Sequence, residues 1–131
     1  MLNKVLILSF LFGTMFAQSP DELYKTAQAS LDAGKVSKAE EEFNAVLQAD
    51  PTFAPAYLGL AHVSMRKGDL KKAGESLKEA IEADPENKAF REEFETMNEL
   101  NTLMSKGIRS MKNGDADNAF ESFRVAFEKF P

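Results

Sequence analysis

Gly34-Lys-Val-Ser-Lys-Ala39-x3-Phe43-x7-Pro51 and Gly68-Asp-Leu-Lys-Lys-Ala73-x3-Leu77-x7-Pro85 are one pattern written twice at a spacing of 34 residues. Gly114-Asp-Ala-Asp-Asn-Ala119-x3-Phe123-x7-Pro131 repeats it 46 residues later, which displaces the third copy by 12 from the period. Self-similarity at this period marks a solenoid of stacked supersecondary units, each burying its apolar face against its neighbours. Such an architecture presents surface rather than an enclosed catalytic pocket, so binding is the function to look for.

The helices can be read outward from these punctuation marks. Ser19-Pro20-Asp21-Glu22 forms a capping box with Pro at the first helical position, opening a helix to about Ala33. Leu23, Ala27 and Leu31 make its apolar stripe, and Gly34 suits the left-handed position that ends a helix. A second helix, about 37–49, carries Ala39, Phe43, Val46 and Leu47 on one face and stops at Pro51. The next unit gives helices over about 53–66 and 70–83, with Tyr57, Leu60, Ala61 and Ser64 inward on the first and Ala73, Leu77, Ala80 and Ile81 on the second. Beyond Pro85, Phe90, Phe94 and Met97 continue at helical spacing into Leu100, Met104, Ile108 and Met111. This predicts one long helix over about 87–112; the alternative is a short helix and a kink near Asn98–Asn101. A sixth helix follows over about 116–130.

Tyr57-x2-Leu60-Ala61-x2-Ser64-x3-Gly68-x4-Ala73-x3-Leu77-x2-Ala80-x4-Pro85 resembles the tetratricopeptide repeat. Leu23, Ala27, Gly34, Ala39, Phe43 and Pro51 match it in the first unit, and Leu103, Gly107, Gly114, Ala119, Phe123, Ala126 and Pro131 in the third. The resemblance implies an all-α, right-handed helix-turn-helix solenoid of three repeats, at about 20–53, 54–87 and 100–131, with a helical insert at 88–99 that extends the fifth of six helices. It makes residues 18–131 one tetratricopeptide repeat domain. The first and third units lack the family's early aromatic, so their first helices are expected to pack less firmly.

Ahead of that domain, Met1-Leu-Asn-Lys4 and the uncharged, mostly apolar Val5–Phe16 have the layout of a signal peptide over residues 1–17. The run is short for a membrane span, with a retained N-terminal anchor as the alternative. Sixteen Lys and Arg against 21 Asp and Glu leave a net charge of −5, and loss of Lys4 with the leader makes the remainder more acidic. An acidic chain with no basic run suits neither a nucleic acid nor an anionic membrane surface. With no cysteine there is neither disulfide nor thiolate chemistry.

Catalytic signals are nearly absent. His62 is the only histidine, and no His, Cys or carboxylate stands three or four residues from it. Glu40-Glu41-Glu42 and Glu92-Glu93 read as solvated helix faces, and the seven glycines form no phosphate-cradling cluster. No cofactor, metal or catalytic residue is expected.

In tetratricopeptide proteins the first helix of each pair lines a concave groove. Carried over by position, that groove is Tyr24, Gln28 and Leu31, then Leu58, His62 and Met65, then Met104, Ile108 and Met111. These are mostly apolar, which disfavours the carboxylate clamp of the family's chaperone-binding members and favours an amphipathic partner helix. Alternatively the insert, or chain continuing past Pro131, folds back and fills the groove. The last helix carries Phe120, Phe123, Phe127 and Phe130, where Phe120 stands for Glu40 and Gly74 of the earlier units and Phe130 for Asp50 and Asp84. Phe120, Phe127 and Phe130 are thus candidates for self-association, including a homodimer. The expectation is an exported interaction or assembly adaptor. The resemblance places it in a bacterial envelope, periplasmic or secreted. The alternatives are the N-terminal repeat region of a larger exported enzyme or envelope subunit, and a self-assembling structural protein.

Overall fold

The computed structural model describes residues 18–130, so the leader expected at 1–17 and the closing Pro131 lie outside the described residues. Six α-helices follow one another: α1 Pro20–Asp32, α2 Val36–Ala49, α3 Ala54–Arg66, α4 Leu70–Ala83, α5 Lys88–Lys112 and α6 Ala116–Lys129. The most extensive packing is within the pairs α1–α2, α3–α4 and α5–α6, followed by α2 on α3 and α4 on α5. This is a helical solenoid, as the period demands.

Each pair turns on the same device. Gly34, Gly68 and Gly114 have φ of 73°, 78° and 76°, a region costly for a residue with a Cβ. Around each, two backbone bonds close the helix end: Gly34 N to Leu31 O and Lys35 N to Ser30 O at 3.0 and 2.9 Å, repeated at Gly68–Met65 with Asp69–Ser64 and at Gly114–Met111 with Asp115–Ser110. This is the Schellman arrangement, which satisfies carbonyls that would otherwise be orphaned. The capping box at Ser19 forms, with Glu22 N donating to Ser19 Oγ at 3.3 Å and Ser19 N to Glu22 Oε2 at 3.1 Å. Asp69 and Asp115 cap α4 and α6 in the same way, accepting from Lys72 N and Asn118 N.

The core is laid down in slices. Ala27, Leu31, Ala39, Phe43, Val46, Ala56 and Val63 join α1, α2 and α3. Ala61, Ala73, Leu77 and Met97 join α3, α4 and α5, and Ala54, Ala80 and Phe90 form a smaller slice beside them. Phe43 is wholly buried, a contribution of about 1.5–3 kcal/mol from its side chain. Its ring lies against Gly59 of α3, where a Cβ would stand 2.4 Å away.

α1 departs from expectation. Its missing early aromatic is replaced by Tyr24 one position on, whose ring lies 5.9 Å from that of Phe43 and 5.4 Å from that of Phe53. Burial, and secondarily the charge of Asp32, raise the Tyr24 phenol above its usual range. α5 is one unbroken helix of 25 residues, without the alternative kink. Its first half packs on α4 through Phe90, Phe94 and Met97, while its second half packs on α6 with Gly107 against the ring of Phe123. One helix of 13 residues performs both tasks in α3; here they are divided along the axis. Twelve extra residues lengthen a helix by about 18 Å, which separates the stretch of α5 that packs on α4 from the stretch that packs on α6.

Candidate protein-docking surface

Of the nine residues expected to line a groove, six lie on α1 and α3 and three on the second half of α5. Leu31 is buried in the first core slice, and Tyr24 is engaged by Phe43 and Phe53. Gln28 is half-buried and donates to Asp32 at 3.0 Å. Leu58 and Met65 pack against the slice that contains Met97 of α5. His62 bonds Glu93 of α5, a carboxylate that local spacing could not reveal because it comes from another helix. The first half of α5 therefore borders the expected groove residues of α3, through Met97 and Glu93. Met104 and Met111 lie 7 and 14 residues beyond Met97, or about 10 and 21 Å farther along the axis. The physical reason is the insert, which extends α5 without interrupting it.

The surface that remains open is on the third repeat. Among the described residues, the large apolar side chains that stand exposed are Ile108, Met111, Phe120 and Phe127, at 47, 63, 69 and 80%, all on α5 and α6. Beside them, Leu100, Met104, Ala126, Phe127 and Phe130 line a shallow apolar depression of about 150 Å³. Phe130 is half-buried in it, Phe127 stands exposed at its rim, and Phe120 is exposed elsewhere on α6. Of the three phenylalanines singled out for self-association, two are thus free and one is partly sheltered.

Charge frames this face. Arg124 forks between two carboxylates one turn away on either side, reaching Glu121 at 2.6 and 2.9 Å and Glu128 at 2.6 and 2.7 Å. The guanidinium holds the Glu121 carboxyl below its usual range. Lys129 bonds Glu99, fastening the end of α6 to the middle of α5. Arg124 stands four residues after Phe120 and three before Phe127, so this charged cluster shares their face of α6. Among the described residues no three of His, Cys, Asp and Glu converge as a metal site would require, and no helix is long and apolar enough to cross a membrane.

Comparison with known proteins agrees with the repeat reading. Residues 30–92 match the family model described as Tetratricopeptide repeat. Over 69 residues the chain is 39% identical to the Cellulose synthase operon protein C of Komagataeibacter sucrofermentans, covering 50% of this chain and 5% of that protein. Komagataeibacter xylinus has two similar proteins, Cellulose synthase operon protein C and Cellulose synthase 1 operon protein C, each 38% identical over 69 residues and likewise covered to 5%. The chain thus spans only a small part of the length of the curated relatives it matches.

Proposed function

We propose that this tetratricopeptide repeat protein is an exported, non-catalytic adaptor that docks a partner protein's amphipathic helix on its third repeat. One observation carries the reading: among the described residues, the large apolar side chains left exposed, Ile108, Met111, Phe120 and Phe127, all lie on α5 and α6. Exposed apolar clusters of this kind mark interaction sites, because leaving them in water forgoes burial free energy. Tetratricopeptide repeats in general mediate protein–protein contact, and the similarity to bacterial cellulose synthase operon proteins supports a bacterial setting for the proposal.

Photo-crosslinking tests the site. A photoreactive residue at position 120 or 111 is expected to trap a partner, and one at position 28 is not. Crosslinks confined to position 28 would return the function to the concave side. Export is tested by intact mass: the exported chain is expected to begin near Gln18, and a mass retaining Met1 overturns it.

A second reading is favoured by the short coverage of the relatives, of which this stretch matches 5%. In it, these repeats are one region of a larger envelope subunit. A native protein of far greater mass than 14.5 kDa on an immunoblot would decide for it.

A further inference from the structure

α5 continues past the end of α4. Leu70 and Lys71, the first residues of α4, line a hollow with Asn101 of α5, so residues 102–112 run about 16 Å beyond it. Along that overhang Asn101, Thr102, Ser105, Lys106 and Arg109 line a second hollow of about 380 Å³. Asn101 lines both, joining it to the first, of about 220 Å³, in one notch. Ser105 and Arg109 stand two residues either side of Gly107, the seat of the Phe123 ring, and so about 200° round the helix from it. The notch therefore faces away from α6, and a helix stacked on α6 would leave it open.

Its charge runs against that of the chain. The net charge is −5, yet the stretch Asn101–Lys112 holds Lys106, Arg109 and Lys112 and no carboxylate. From α4 the notch receives Lys71 and Lys78, with Glu75 the one acid in its lining. Among the described residues Lys78, Lys106 and Arg109 join no ion pair; Lys78 lies instead 5.8 Å over the Phe94 ring. Lys106 acts on Glu121 through space, but that carboxylate is already bonded by Arg124. Arg109 suits the last turn of α5, where a cation complements the helix dipole. That account does not extend to Lys106, and at Lys71 it has the wrong sign. The first turn of α4 disfavours a cation, and Glu75 stands 3.9 Å off.

Gly74, Phe94 and Met97 give the α4 side of the notch an apolar floor. We propose that the notch docks an acidic segment of a partner protein, with one large apolar side chain on that floor and carboxylates on Lys71, Lys78, Lys106 and Arg109. Exposed ion pairs are individually weak, so the apolar contact and the cations act together. A nucleic acid is a poorer occupant, because Glu92, Glu95 and Glu99 on the first half of α5 would repel a polyanion longer than the notch. This site is separate from the phenylalanines of α6 and does not rest on their role.

Fluorescent heptapeptides test it against the full chain, read by anisotropy at low ionic strength. The first has a central leucine with three glutamates on each side; the second has glutamines in their place, and the third a central serine. Saturable binding of the first is expected, at least about tenfold weaker for the second and at least about threefold weaker for the third. Lys106→Glu plus Arg109→Glu is expected to lose at least about tenfold. Lys25→Glu plus Lys88→Glu, the same change of charge elsewhere, is expected to lose less than about threefold. All four positions are exposed, so circular dichroism should show both variants folded. Should the site variant misfold, a photoreactive residue at position 105 of the otherwise native chain is expected to trap the first peptide, and one at position 29 is not.

No saturable binding, an affinity equal to the first in either control peptide, or equal loss in the two charge variants overturns the proposal. So does crosslinking that is no stronger from position 105 than from position 29. A single-stranded oligonucleotide that binds more tightly than the first peptide, and is lost with Lys106→Glu plus Arg109→Glu, overturns it in favour of nucleic acid. A dimer by sedimentation equilibrium that the same variant dissociates overturns it in favour of a second copy.

Discussion

Met97 of α5 fills the space that Gly74 of α4 leaves open: a Cβ at residue 74 would stand 2.9 Å from the terminal methyl of Met97. The corresponding junction one repeat earlier is built the other way round, with Phe43 of α2 against Gly59 of α3. Both glycines sit within helices, where each costs about 1 kcal/mol in helix propensity relative to alanine. What they gain is close approach.

The two glycines should therefore respond differently to alanine. At Gly74 the neighbour is the flexible end of a methionine, so Gly74→Ala is expected to be neutral or to stabilise by up to about 1 kcal/mol. At Gly59 the new Cβ would meet a buried ring at 2.4 Å, so Gly59→Ala is expected to destabilise by about 1–3 kcal/mol. Thermal midpoints of the two variants check the contrast, and equal shifts would refute it.

Removing the insert should not produce a regular third repeat. Deletion of residues 88–99 restores the period of 34 but brings Thr102 and Arg109 to the places of Phe90 and Met97. Twelve residues turn a helix by about 120° beyond whole turns, which rotates the docking stripe away from α4. The deletion is expected to free the α5–α6 hairpin from α4, read as faster hydrogen exchange in α6 with α1–α3 unchanged.

Glu40 joins the first two repeats through Lys67 and Lys72, the latter at 2.9 Å. Its hydrogen bonds to Lys67 and then Lys72 hold its carboxyl below the usual range, and Glu40 raises Lys72. A lowered carboxyl stabilises above its unfolded pKa and loses that contribution as pH falls through the folded one; a raised lysine loses its own as pH rises through its folded value. Glu40→Gln is expected to cost about 1 kcal/mol or less at neutral pH, since the pair is partly solvated. The difference from wild type should shrink in acid, below the ordinary carboxylate range, and with added salt.

Phe120 and Phe123 should separate surface from structure. Phe120→Glu, at an exposed position, is expected to leave the thermal midpoint within about 0.5 kcal/mol and to shorten retention on a hydrophobic column. Phe123→Ala removes the ring seated on Gly107 and is expected to cost about 2–4 kcal/mol, the half-buried position bringing it below a full core deletion.

The number, order and ends of the helices were legible in the chain because each depends on neighbours within a turn or two. Gly34, Gly68 and Gly114 ended helices as their backbone freedom requires, and the unbroken apolar spacing from Phe90 to Met111 was enough to predict one long α5. The aromatic Tyr24 was visible but was assigned to the groove, without its packing on Phe43 and Phe53. The surroundings of the groove residues on α1 and α3 were not legible for another reason. Repeat arithmetic assigns a position to a groove without knowing which later helix will lie over it, and so it could not see Glu93 reach His62 or Leu31 sink into the core.

By itself, then, the sequence determined an all-helical array with its turns and its apolar faces, since periodicity and capping are local properties. Only the tertiary structure decided which of those faces stay in water. Exposure depends on the length and rotation of α5, which packs its first half on α4 and its second half on α6, where Phe120 and Phe127 stand exposed.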